Sequence, residues 1–171
     1  MQMVKKILLG MFVTWIGFLA FMPKTELYYL LEKELVKNDI RLNEKSIDEG
    51  IFSLSLKGVT LFAKGIHIAN IEEIKIMTLL GYTHLSVEGV TFDALLKGQA
   101  PKKIKNIDIS HSVLSLTNID IEGNGTMGEL EGVVRLSDRK VRINFKEGTN
   151  LNSLRTFLKK DKKGWYYEKA F

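Results

Sequence analysis

The sequence predicts a mainly β protein of the α+β class, in which a transmembrane helix and a short amphipathic helix precede a curved antiparallel β-sheet and a C-terminal helix. Three observations support this prediction. Residues 7–22 form an uncharged apolar run, residues 23–38 carry leucines at helical spacing, and apolar and polar side chains alternate from residue 40 onward. Such alternation, broken by Gly, Asn and Asp, is typical of half-buried antiparallel strands. We therefore divide the chain into an anchor (1–22), a juxtamembrane helix (23–38) and one β-rich domain (39–171).

The apolar run follows Lys5 and Lys6 and ends before Pro23. It is slightly shorter than the roughly 20 residues that cross an average bilayer, and the lysine stems extend its reach. Because the basic residues precede the run, we expect the N-terminus in the cytoplasm and the rest of the chain across the membrane. The side chains expected to contact lipid are Ile7, Leu8, Leu9, Phe12, Val13, Trp15, Ile16, Phe18, Leu19 and Phe21.

A cleaved secretory signal is the alternative interpretation of this run, because a basic start and a short apolar segment suit both. Signal cleavage needs small residues near the end of the segment, whereas this run ends in Leu19-Ala20-Phe21-Met22-Pro23. The sequence therefore favours an uncleaved anchor, and under either interpretation the β-rich domain is exported.

The juxtamembrane segment has the pattern of an amphipathic helix. Leu27, Leu30, Leu31 and Leu35 recur at helical spacing, and Pro23 suits a first turn. We expect this leucine stripe to pack on the sheet, with a partner-binding helix as the alternative.

The alternating segments give the sheet one apolar face, which is either the floor of a filled core or an open groove for acyl chains. The residues predicted to form it are Leu54, Leu56, Val59, Leu61, Ile66, Ile68, Leu85, Val87 and Phe92. A short motif also recurs along these strands, as Lys57-Gly58-Val59-Thr60, Glu88-Gly89-Val90-Thr91 and Glu131-Gly132-Val133-Val134. We interpret it as a repeated strand-and-bulge unit, with chance similarity as the alternative.

The C-terminal part predicts a helix over Asn150–Lys160 followed by an aromatic strand around Trp165 that pairs back with the sheet. A basic patch flanks this strand and could bind anionic headgroups or an acidic partner; a solvated helix end is the alternative. The patch consists of Arg155, Lys159, Lys160, Lys162 and Lys163.

The sequence contains no recognisable catalytic, cofactor-binding or metal-binding pattern. His67, His84 and His111 lack metal-ligand spacing, and the chain has no cysteine. The net charge of +5 is modest, and no basic run interleaved with aromatics occurs before residue 155, so we do not expect a nucleic acid partner. Asn124-Gly125-Thr126 predicts a hairpin turn and is also a candidate N-glycosylation acceptor at Asn124.

The order of these parts resembles the type II secretion system protein N family. The resemblance rests on Pro23 directly after the anchor, the L-x-x-L-L helix, and the segment Gly125-Thr126-x-Gly128-x-Leu130-x-Gly132-x-Val134 that leads into Val141–Phe145. It implies a single-pass protein of a bacterial inner membrane with a periplasmic β-domain. The implied role is non-enzymatic, as an accessory component of a secretion or related envelope assembly, with secretion-system subunits as partners.

The same layout is similar to that of AsmA-like and lipopolysaccharide-bridge proteins, which implies a second function. In that case the apolar face of the sheet would form a groove that binds or transfers lipid. An enzyme would be a third class, but it would need a cluster of polar residues converging in a pocket, and the sequence offers none.

Overall fold

The computed structural model describes residues 2–93, 103–126, 128–146, 158–162 and 164–171. Helix α1 (Gln2–Phe21) precedes helix α2 (Lys24–Lys37), and the rest of the described chain is mainly strand. The strands are β1 (Ile40–Asn43), β2 (Ser46–Glu49), β3 (Ser53–Ala63), β4 (Ile66–Leu79), β5 (Tyr82–Phe92), β6 (Lys103–Ser112), β7 (Asn118–Gly125), β8 (Gly128–Arg135), β9 (Lys140–Phe145), β10 (Lys159–Asp161) and β11 (Gly164–Ala170).

The strands form one open antiparallel sheet in the order β1-β3-β4-β5-β6-β7-β8-β9-β11-β10, and β2 pairs with β3. β1 and β2 occupy the same edge of β3, opposite its C-terminal and N-terminal halves respectively. From β3 to β9 each strand pairs with the next one in the chain, as expected where tight turns connect antiparallel strands. The prediction of a mainly β, antiparallel fold behind two N-terminal helices is confirmed.

A line of irregular positions crosses four strands of this sheet. Gly58 in β3 and Gly89 in β5 have positive φ angles of 61° and 65°. The registers place Gly58, Glu72, Gly89 and Lys105 opposite one another, between regular pairs on either side. Within each strand, the apolar residues change from even to odd positions, or the reverse, at this line. Because the backbone is irregular there, the apolar side chains stay on the same face of the sheet on both sides of the line.

This line explains part of the recurring sequence motif. The first two copies contain Gly58 and Gly89, whose positive φ angles interrupt the regular pairing without shifting the register between β3, β4 and β5. The third copy differs, because Gly132 lies in a regular stretch of β8 opposite Ile121 and Ile143. The motif therefore marks an irregular position only in the two copies whose glycine adopts a positive φ.

The C-terminal region departs from its prediction. Most of the predicted helix over residues 150–160 falls on residues 147–157, which lie outside the described residues, and Lys159 and Lys160 belong to strand β10. The predicted aromatic strand is confirmed as β11, which pairs with β9 from Trp165↔Phe145 to Ala170↔Lys140. Val113–Ser115 forms a short 3-10 turn in which the Ser112 hydroxyl accepts a hydrogen bond from the backbone N–H of Leu114.

Candidate functional site

One face of the sheet is apolar from β3 to β11. The registers align side chains of successive strands into two parallel apolar rows on this face. The first row is Leu54, Ile76, Leu85, Ile109, Ile121, Gly132, Ile143 and Tyr167, and the second is Leu56, Ile74, Val87, Ile107, Gly123, Leu130, Phe145 and Trp165. The adjacent row projects from the other face and is polar: Ser55, Lys75, Ser86, Asp108, Glu122, Glu131, Asn144 and Tyr166.

Burial of the apolar face is greatest near α2, which packs against β1, β2 and β3. Most of the buried hydrophobic residues form one cluster there: Tyr28, Leu54, Leu56, Val59, Ala69, Ile71, Val90 and Ile104. Towards β11 the apolar residues of both rows are half-buried, apart from the buried Phe145. The face therefore combines a compact core at one end with partly accessible apolar surface at the other.

The predicted core or groove residues divide along the same gradient. Leu54, Leu56 and Val59 are buried in the cluster beneath α2. Leu61, Ile68, Leu85, Val87 and Phe92 are half-buried, and Ile66 is exposed at the start of β4. The set thus contains both core residues and residues that could contact a ligand.

A cavity of about 230 Å³ lies between the end of α1, the first turns of α2 and the sheet. Leu19 and Met22 form its side towards α1, and Leu27 and Leu31 its side along α2. On the sheet it reaches residues of β3 and β4, among them the buried Leu54. The cavity therefore joins the end of the apolar helix to the first apolar row of the sheet.

The N-terminus of α2 is held by a residue from the sheet. Pro23 precedes the helix and provides no side-chain cap. Instead, the Glu49 carboxylate of β2 accepts hydrogen bonds from the Thr25 hydroxyl and from the backbone N–H of Lys24, the latter at 3.2 Å. These two hydrogen bonds, and the positive charge of Lys24, lower the pKa of Glu49 below its usual value. A carboxylate in this position also complements the positive end of the helix dipole.

A second polar contact ties the middle of α2 to the sheet. Tyr28 is only 3% exposed, and its hydroxyl donates a hydrogen bond of 2.8 Å to the carboxylate of Glu44, which lies between β1 and β2. Burial raises the pKa of Tyr28 well above its usual value, and the hydrogen bond and the negative charge of Glu44 raise it further. The phenol therefore stays protonated at neutral pH and acts as a donor.

The predicted anchor residues all lie in α1. This helix of 20 residues is long and apolar enough to cross a membrane. Leu19 is buried and Ile16 half-buried, whereas the other eight predicted lipid-facing residues are exposed. An exposed, uniformly apolar helix is the state expected of a segment whose natural surroundings are lipid.

The predicted basic patch is described only in part, because Arg155 and Lys163 lie outside the described residues. Lys159, Lys160 and Lys162 are exposed, and the Lys160 ammonium lies 5.6 Å from the centre of the Trp165 ring. Lys159 and Lys160 are paired through β10 with Tyr166 and Trp165 of β11, so these lysines belong to a strand and not to a helix end.

The predicted turn at Asn124-Gly125 is wrong in its position. Both residues belong to β7, with Asn124 paired to Asn106 and Glu129, and Gly125 paired to Gly128 across the turn. The candidate glycosylation residue Asn124 is therefore an exposed strand residue with a neighbour on each side.

The histidines lie apart on the sheet. His67 contacts Asp93 at 2.7 Å, and His84 lies 3.3 Å from Asp108. In the described parts of the chain, no group of three or more His, Cys, Asp or Glu side chains is arranged to hold a metal ion.

Sequence reasoning missed Lys24, Glu44 and Glu49 as parts of a junction between α2 and the sheet. The Lys24–Glu49 contact joins residues 25 positions apart, and no local pattern marks it. No family model, curated protein or solved structure matches the chain.

Proposed function

We propose that this chain is a non-enzymatic, single-pass membrane protein that binds the acyl chains of membrane lipids on the apolar face of its sheet. The observation that carries the proposal is the pair of apolar rows that continue to β11, with their side chains only half-buried over the second part of the sheet. In this proposal α1 crosses a bacterial inner membrane, the N-terminus is cytoplasmic, and the sheet stands in the periplasm.

The energetics favour lipid exchange over tight capture. Moving an acyl chain from the bilayer into water costs about 0.8 kcal/mol for each CH₂ group. An apolar sheet face that receives the acyl chain removes most of this cost. It does not bind the acyl chain more strongly than the bilayer does. A face that begins beside the membrane and continues along the sheet therefore lowers the barrier for a lipid to leave the bilayer.

Adjacent residues of β7 provide a matched test, because successive side chains of a strand project to opposite faces. Ile121 lies in the first apolar row, and Glu122 lies in the polar row beside it. We would purify three full-length proteins in detergent: the wild type, Ile121→Gln and Glu122→Gln. Thermal melting would check that each is folded, and the lipids that co-purify would be extracted and identified. We expect phospholipid to accompany the wild type and Glu122→Gln, and to fall markedly in folded Ile121→Gln. Wild-type protein free of lipid would contradict the proposal.

A second candidate function is an accessory role in an envelope assembly such as a type II secretion system. The observation that favours it is the edge of β11 that faces away from β9, where the described strand β10 pairs with Gly164–Tyr166 and β11 continues to Ala170. Among the described strands, none pairs with this edge over the last four residues of β11. An edge of this kind accepts a strand from a partner by β-augmentation.

One experiment separates the two functions. The tagged protein would be isolated from detergent-solubilised membranes and both proteins and lipids identified by mass spectrometry. Phospholipid without a stoichiometric protein partner supports lipid binding. A stoichiometric secretion subunit without lipid, lost when Ala170→Pro removes a backbone donor from the edge of β11 that faces away from β9, supports the accessory role.

A further inference from the structure

We infer that the cavity between α1, α2 and the sheet is an entry port for one acyl chain of an anionic phospholipid, whose phosphate binds Lys24. This inference rests on the proposed lipid-binding function and gives it a location and a class of ligand. It follows from the position of the cavity, the chemistry of its lining and the charge at Lys24.

The position of the cavity connects the bilayer to the sheet. Leu19 and Met22 lie in the last turn of α1 or directly after it, so the cavity lies where the chain would leave the membrane. On the other side, Leu54 and Ile76 line the cavity and are paired as the first members of an apolar row. An acyl chain that enters beside α1 therefore meets apolar side chains continuously until it lies on the sheet.

The lining of the cavity suits a hydrocarbon chain better than a peptide. Its polar side chains are Lys24, Thr78 and Tyr28, and the Tyr28 hydroxyl is already bonded to Glu44. A peptide in this cavity would bury backbone N–H and C=O groups with few partners, at a cost of about 1–3 kcal/mol for each unsatisfied group. A hydrocarbon chain has no such groups.

Lys24 supplies the selectivity for an anion. Its side chain is 11% exposed, and its ammonium donates one hydrogen bond of 3.2 Å to the carbonyl of Met22. Glu49 lies 3.7 Å from this ammonium, and its carboxylate already accepts hydrogen bonds from Thr25 and from the backbone of Lys24. Because an ammonium has three N–H donors, Lys24 can also donate to a phosphate oxygen at the mouth of the cavity.

Photolabelling tests the entry port with full-length protein. The protein would be reconstituted in phosphatidylcholine vesicles that contain phosphatidylglycerol with a diazirine in one acyl chain, and labelled residues would be mapped by mass spectrometry. We expect labelling at Phe52, which lines the cavity directly before β3, and at Ile76 of β4, besides the labelling of α1 that any membrane helix receives.

Two neighbouring leucines provide a matched pair for blocking the port. Leu31 lines the cavity and is 50% exposed, whereas Leu30 is 61% exposed and lines a different surface of α2. Leu31→Trp should lower labelling of Phe52 and Ile76 by at least about fivefold, which corresponds to roughly 1 kcal/mol, while Leu30→Trp leaves it unchanged. Both side chains are half-exposed or more, so both variants should fold, and thermal melting would check this.

A second pair of variants tests the phosphate contact. Lys24→Gln should reduce labelling by the phosphatidylglycerol probe to the level given by a phosphatidylcholine probe. Lys33→Gln, on the exposed side of the same helix, should not. Equal labelling of the cavity by the phosphatidylglycerol probe in wild type and Lys24→Gln would overturn the assignment of the phosphate to Lys24.

The outcomes distinguish this inference from the proposed function. Labelling of distant row residues such as Ile121 and Ile143, with none at Phe52 or Ile76, would overturn the entry port and leave lipid binding by the sheet intact. Labelling confined to α1 would overturn both. Equal loss of cavity labelling in Leu30→Trp and Leu31→Trp would also overturn the port.

Discussion

At Tyr28 a single hydroxyl group links α2 to the connection between β1 and β2. The ring is buried in the main core cluster, and its hydroxyl donates to Glu44. Tyr28→Phe keeps the ring and removes this hydrogen bond, so we expect a loss of about 1 kcal/mol in the free energy of unfolding. Urea denaturation of the full-length protein in detergent would measure it. Tyr29→Phe is the control, since Tyr29 is 51% exposed, and an equal loss in both variants would contradict the role given to the hydroxyl.

Glu49 makes the attachment of α2 sensitive to acid. The folded protein lowers the pKa of this carboxyl through its hydrogen bonds with Thr25 and the backbone of Lys24. Its contribution to stability is therefore complete above the unfolded-state value of about 4.5 and is lost as the pH falls through the lower folded value.

We therefore predict that Glu49→Gln flattens the loss of stability below pH 4.5 and lowers stability at neutral pH. Melting temperatures measured from neutral to acidic pH would check this. Glu26→Gln, in the exposed first turn of α2, provides the control and should follow the wild-type profile. A Glu49→Gln profile that runs parallel to the wild type would rule out Glu49 as the acid-sensitive group.

At the scale of the strand, Gly89 is required by both its backbone and its surroundings. Its φ of 65° is unfavourable for residues with a Cβ, and a Cβ at this position would collide with the side chain of Glu72. Gly65 also has a positive φ, of 75°, but nothing lies within 4 Å of the position that a Cβ would occupy there.

Comparing Gly89→Ala with Gly65→Ala separates these two costs. We expect Gly65→Ala to lower the free energy of unfolding by about 1–2 kcal/mol, the usual penalty for a left-handed backbone alone. Gly89→Ala should lower it further, because the Glu72 side chain must also move away from its position 3.4 Å from Lys103. Chemical denaturation of both variants measures the difference. Equal losses in the free energy of unfolding would show that the surroundings of Gly89 accept a Cβ.

The sequence predicted the elements better than their irregularities. A period of two identified the strands, because burial of one sheet face selects apolar residues at every second position. The same rule does not hold along the whole of β4, because the shift at Glu72 interrupts the alternation within one continuous strand. Asn124-Gly125 was assigned to a turn on local propensity, whereas pairing with β6 and β8 keeps it extended.

The candidate site was less predictable than the fold. Leu54 and Leu56 could be assigned to the apolar face from alternation alone. The junction around Lys24 could not, because it depends on how α2 lies against β2, and this contact joins parts of the chain that share no periodic pattern. Helix docking is a tertiary property, whereas apolar alternation is a local one.

For the whole molecule, the gradient of burial predicts a gradient of local stability. β3 and β4 lie within the sheet and contribute most of the buried cluster, whereas β9 and β11 lie near the other end of the sheet, where Phe145 is the one buried hydrophobic side chain among the described residues. Local opening needs less free energy where fewer apolar contacts are broken. We therefore expect backbone amides of β3 and β4 to exchange with deuterium more slowly than the hydrogen-bonded amides of β9 and β11.

Hydrogen exchange with and without phospholipid vesicles would connect this gradient to function. Acyl chains that cover the half-buried rows would bind the closed sheet in preference to the open one, and so raise its stability by mass action. Protection should therefore increase in β7 to β11 and change little in β3 and β4, where the side chains are already buried. Uniform exchange along the sheet would contradict the predicted gradient of stability, because it would show that the whole sheet opens as one cooperative unit.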